Sequence, residues 1–226
     1  MSRGIVLVGN ESSLLSALCA EAGKQVEKYA LAYIPPGHDR KTIQYSSIED
    51  RSLADRQYIF DWNPASPVSA KTLVLSALNK LGNIDEAVLV CVPPAYRKNA
   101  DAFTADEIDH FFDCNIKGWF FLVRELAVFF TERKRGTLAL VLPEINTGSG
   151  VDAPDLCGPV AAASFRSFAQ GIMLSSVNTP YETLGFSVPQ PGGDQAFAAY
   201  VFKTMEEEKR NSGRWYKFGK FGLFNR

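Results

Sequence analysis

Apolar residues in this chain alternate between short unbroken runs and longer stretches in which they recur every three or four positions. Ile5 to Val8 is a β-branched run ending at Gly9-Asn10. Behind it Ser12 or Ser13 can cap a helix with Leu14, Leu15, Leu18 and Ala22 on one face, closed by Gly23. Tyr29 to Ile34 reads as a second strand, broken by Pro35-Pro36-Gly37, and Tyr58 to Phe60 as a third. The spacing of Leu73, Leu75, Leu78 and Leu81 predicts a helix from Ser66 that stops at Gly82. Ala87 to Val92 is apolar without alternation, which places it in a parallel sheet covered on both faces. From Thr104, the acidic first turn Asp106-Glu107 and the periodicity of Phe111, Phe112, Ile116, Phe120, Leu122 and Phe130 predict one long helix. A strand at 137–142, a small-residue helix at 159–175, a strand at 183–188, a helix at 195–210 and a terminal strand at 214–224 complete the series. Strands and helices alternating in this way predict a single α/β domain over 1–226, a doubly wound, mostly parallel sheet in three layers, α/β/α.

Composition adds exclusions. The formal net charge is −1 over 226 residues, so no global basic field is present to hold nucleic acid or an anionic membrane. The first apolar run is too short for a secretory core or a membrane span, and the expectation is a cytoplasmic chain. Cys19, Cys91, Cys114 and Cys157 are far apart in apolar or small-residue contexts and read as buried thiols, not as ligands or a redox pair. His38 and His110 are too few for a metal site, and Gly148-Ser149-Gly150 lacks the frame of a nucleophile elbow. The basic and aromatic tail from Arg214 to Phe224 could contact single-stranded nucleic acid, but its alternation favours a terminal strand at a subunit contact.

Three stretches carry a resemblance. FDWNPASPVSAKTLVLSALNKLGNIDEAVLV (60–90), FTADEIDHFFDCNIKGWFFLVRELAVFF (103–130) and the ending SGRWYKFGKFGLF are similar to the short-chain dehydrogenase/reductase family, whose fold is Rossmann-like. Asn115-Ile116-Lys117-Gly118 stands at the family's Asn-x-x-Gly. The resemblance implies a glycine-rich dinucleotide loop, an Asp at the adenine, and a Ser, Tyr, Lys and Asn that run hydride transfer.

Residue by residue, most of that machinery is missing. Of the loop's three glycines only Gly9 remains, and the span to Gly23 is about three residues short of the family pattern. Glu11 would face phosphate with like charge. Gly9, Ser12, Ser13 and Asp61 are the candidate cofactor-binding residues, as vestiges; Asp61 stands at the adenine position, but an Asp at a strand end before Asn-Pro reads first as a turn residue. Pro143 falls at the family's Ser, Gly158 at its Tyr and Ala162 at its Lys, so no catalytic residue is assigned. Asn115 alone matches, and its other role is to satisfy backbone groups at an irregular helical turn. The expectation is therefore a family-like protein without dehydrogenase chemistry, holding no cofactor, with a binding or assembly role. Its expected state is a homodimer or homotetramer packed through Ala161-Ala162-Ala163 and the Phe-rich helix, with a protein partner as a further possibility and neither nucleic acid nor membrane as one. The alternative is an atypical oxidoreductase that binds NAD(P) and uses Tyr96 or Tyr181 as acid.

Overall fold

A computed structural model describes residues 3–34, 56–93, 96–143, 155–188, 193–207 and 212–219. Among the described residues seven strands form one sheet, every neighbouring pair parallel, in the order β3-β2-β1-β4-β5-β6-β7. They are β1 (Ile5–Asn10), β2 (Tyr29–Ile34), β3 (Gln57–Phe60), β4 (Glu86–Val90), β5 (Thr137–Val141), β6 (Glu182–Ser187) and β7 (Arg214–Lys217). The α-helices are α1 (Ser13–Gln25), α2 (Pro67–Leu81), α3 (Ala105–Phe112), α4 (Gly118–Arg133), α5 (Cys157–Ser175) and α6 (Asp194–Glu206). This is the three-layer, doubly wound, Rossmann-like arrangement, and its order reverses between β1 and β4.

β4 and β5 are buried at every position, as runs without alternation require of central parallel strands. Each face of the sheet has its own core. One is built from Leu73, Trp119, Leu122, Phe130 and Phe165 beneath α2, α4 and α5; the other from Leu15, Leu18, Phe197 and Phe202 beneath α1 and α6. Burying a residue of that size contributes on the order of 1.5–3 kcal/mol, so these two layers dominate the stability of the sheet.

Several local readings change. The long helix is three pieces: α3, a π-helical segment Asp113–Lys117, and α4. The extra residue of a π turn rotates the helix beyond it, so one 3.6-residue period cannot run through it. Phe112 and Phe120, placed by that period on the core face, are 49% and 53% exposed. In α2 the buried row is Ala70, Leu73, Val74 and Ala77, with Leu75 turned out; leucine spacing overlooked the alanines that let the helix lie close to the sheet. Cys157, in the first turn of α5, is half-exposed, whereas Cys19, Cys91 and Cys114 are buried. The last helix ends at Glu206 and β7 at Lys217. The rest of the anticipated terminal strand, together with Pro35-Pro36-Gly37, His38, Gly148-Ser149-Gly150 and the Pro189-to-Gly192 stretch, lies outside the described residues.

Candidate functional site

In an open parallel sheet the place for a ligand is the crevice beyond the strand C-termini where the order reverses, here between β1 and β4. Gly9 is in β1, paired with Val90 of β4. A Cβ on Gly9 would lie 2.7 Å from the Val90 carbonyl oxygen and 2.9 Å from its Cβ. Close approach of the two central strands is reason enough for a glycine there.

Helix α1 begins immediately after. Ser12 is its N-cap: its hydroxyl accepts from the Leu15 N–H at 3.2 Å and donates to the Asn10 carbonyl at 3.2 Å. Ser13 donates its hydroxyl to the Asp194 carboxylate at 2.5 Å, joining the N-termini of α1 and α6. Both hydroxyls proposed for a cofactor are thus used within the chain. Asp61 follows β3 and is exposed. The turn after it is organised by Asn63, whose Oδ1 accepts from the Ala65 N–H and whose own N–H donates to Ser69 Oγ.

Asn115 sits in the π-helical segment, 2% exposed, and its amide nitrogen donates to the Phe111 carbonyl at 3.1 Å. Its Oδ1 has no partner among the described residues. A π turn frees carbonyls that an α-helix would use, and a side-chain amide nearby takes one up. Pro143 lies just past β5, and Ala162 packs half-buried against the core side of α5. Gly158 is in the first turn of α5, where its N–H donates to Asp155 Oδ1 at 3.0 Å.

Of the two tyrosines considered as acids, only Tyr96 is at this edge. Tyr181 directly precedes β6 and packs tilted against Phe130, at the N-terminal end of the strand, which removes it from the crevice beyond the C-termini. Tyr96 leans on Phe103 and on Phe111, with centroids 6.5 and 6.1 Å away. Burial, and then the nearby Cys114, Cys157 and Glu107, push its phenol above its ordinary value. Sequence reasoning missed the rest of this cluster. Cys114 Sγ is 3.5 Å from His110 Nε2, and burial and then Asp113 push the thiol up to about 12, away from thiolate chemistry. Among the described residues no three His, Cys, Asp or Glu side chains are grouped to hold a metal ion, and no helix is long and apolar enough to cross a membrane.

Glu107 closes a capping box with Thr104 and accepts from Lys98. The Lys98 bond first, then the Thr104 N–H, hold its carboxyl down at about 2. A depressed carboxyl stabilises the fold fully above its unfolded value, 4.5, and loses that contribution as pH falls toward about 2. A carboxyl-carbon NMR titration should follow Glu107 to a midpoint near 2, moving up toward 4.5 in Lys98→Ala.

No family model matches the chain, and no curated protein sequence does. Solved structures do. The chain is similar to serine dehydrogenase from Escherichia coli, with a TM-score of 0.70 at 16% identity over 94% of this chain and 96% of that one. It is similar to a short-chain dehydrogenase from Mycobacterium smegmatis, with a TM-score of 0.69 at 14% identity over 95% and 90%. A Serratia marcescens short-chain dehydrogenase/reductase double mutant gives a TM-score of 0.68 at 11% identity over 95% of each chain. The likeness is one of fold, and the chain has the fold of the short-chain dehydrogenases/reductases.

Proposed function

We propose that this chain is a non-catalytic member of that fold, kept for assembly and binding, which works in the cytoplasm as a homodimer or homotetramer with neither nucleic acid nor membrane as its partner. The observation that carries the reading is that the hydroxyls and N–H expected to meet a cofactor are engaged within the chain. Ser12 caps its own helix, Ser13 is bonded to Asp194, Gly9 packs on Val90, and the Gly158 N–H is bonded to Asp155. A dinucleotide's pyrophosphate needs free N–H and hydroxyl donors at the α1 N-terminus and a backbone it can approach closely. Here a carboxylate from α6 already stands against Ser13, and Glu11 is exposed beside it. These residues do not fit the cofactor, and no step is derived through it.

The surface supplies the second half of the reading. Phe120 and Val128 on α4, Val160 and Leu174 on α5, and Val177 just past it are exposed by 53, 48, 49, 78 and 62%. Phe120 meets Phe168 of α5 with ring centroids 4.3 Å apart, so the two helices present adjoining apolar ridges. Apolar surface repeated along two neighbouring helices fits a second copy across a two-fold axis. Light scattering of the purified protein tests this part: a dimer or tetramer is expected, and a monomer at high concentration would overturn it.

The rival reading, an NAD(P)-dependent oxidoreductase with Tyr96 as acid, has the position of Tyr96 in its favour. It has the chemistry of that phenol against it. A general acid works best with a pKa near the working pH, and burial moves Tyr96 the other way.

A further inference from the structure

Two elements far apart in sequence are gripped by one carboxylate at the crevice end of α5. Asp155 Oδ1 accepts from the Gly158 N–H at 3.0 Å and from the Tyr96 N–H at 3.1 Å. The backbones of Arg97 and Asp155 also meet in an isolated antiparallel bridge, so the Tyr96 segment is held by main chain and side chain together. That segment continues into α3, where Lys98 pairs with Glu107 and Tyr96 rests on Phe111. The other carboxylate oxygen fills the space at Gly158: a Cβ there would fall 2.3 Å from Asp155 Oδ2. An ionised acceptor taking two N–H bonds, one of them from the first turn of a helix, is stronger than a neutral one and is favoured by the helix dipole.

We infer that Asp155 is an intramolecular latch, its carboxylate tying the connection between β4 and α3 to the start of α5 and closing that end of the crevice. Gly158 is the position that the resemblance aligns with the family's phenol, and no side chain fits there while Asp155 holds both N–H groups. Latch and phenol exclude one another. The Tyr96 bond spans 59 residues, so releasing the carboxylate loosens the connection at Tyr96 as well as the helix end. The latch rests on these contacts alone; whether the protein binds a dinucleotide is a separate question with a separate measurement.

Amide hydrogen exchange of Asp155→Ala in the full chain tests it, with sodium formate as a stand-in carboxylate and sodium chloride at equal ionic strength as control. The Tyr96 and Gly158 amides should exchange about 10- to 100-fold faster than in wild type, as loss of charge-assisted bonds implies, with the amides of β1 and β4 unchanged. Formate should restore protection to the variant and leave wild type as it was. Equal protection of both amides in variant and wild type would overturn the latch, and so would formate acting alike on the two proteins. Should Asp155→Ala fail to fold, Asp155→Asn keeps the shape and one acceptor oxygen without the charge. It should lose protection at the same two amides by a smaller factor, and unchanged protection there overturns the proposal equally.

Discussion

Gly9→Val should destabilise the protein by about 3 kcal/mol or more, lowering Tm by roughly 6–12 °C. The added Cβ meets the backbone carbonyl of Val90 at 2.7 Å as well as its side chain at 2.9 Å. That carbonyl belongs to the last pair of the β1–β4 ladder and cannot step aside without moving the end of β4 from β1, and both strands are buried. Gly9→Ala places the same Cβ and should show most of the loss. Urea denaturation of both variants checks this. If either kept wild-type stability, packing would not explain the glycine, and close approach of a phosphate would again be the better reason for it.

Leu174→Glu combined with Phe120→Glu should turn the assembled protein into a monomer, weakening self-association by at least about 100-fold. A two-fold axis duplicates each change, so four carboxylates would have to enter an apolar contact with no cation designed to meet them. Leu174 and Phe120 are 78% and 53% exposed in the single chain, so the far-ultraviolet circular dichroism and the unfolding transition of the monomer should barely change. Sedimentation velocity separates the outcomes. A variant that still sedimented as a dimer would move the contact elsewhere, with the edge strand β7 the next surface to alter.

Much of the fold could be read directly from the chain. Runs such as Ala87 to Val92 have no polar alternation and so announce a central parallel strand, observed at Glu86–Val90; Ser12, Ser66 and Thr104 mark helix starts by their hydroxyls, and each is an N-cap. The breaks came where local pattern and tertiary geometry part. One extra residue at Asp113–Lys117 rotated the face of α4 and turned Phe120 outward, and the buried row of α2 joined Leu73 to Ala70, Val74 and Ala77 while Leu75 turned out.

The candidate site was legible only as positions where the resemblance expects other residues; the contacts made there were not. That Gly158 and Pro143 stand where a phenol and a hydroxyl are expected comes from alignment alone. That Asp155 reaches Tyr96 across 59 residues, and Asp194 reaches Ser13 across 181, depends on which ends of the sheet the loops return to. No short-range pattern encodes such pairs. The same holds for Tyr181, whose candidacy as an acid ended once it fell at the N-terminal end of β6.

Because Ser12, Ser13 and the Gly158 N–H are engaged within the chain, the proposed function expects no dinucleotide to bind at the crevice. Isothermal titration of the purified, assembled protein with NADH and with NADPH tests it most directly. No heat of binding is expected from either up to millimolar concentration, whereas micromolar binding of one of them would contradict the account.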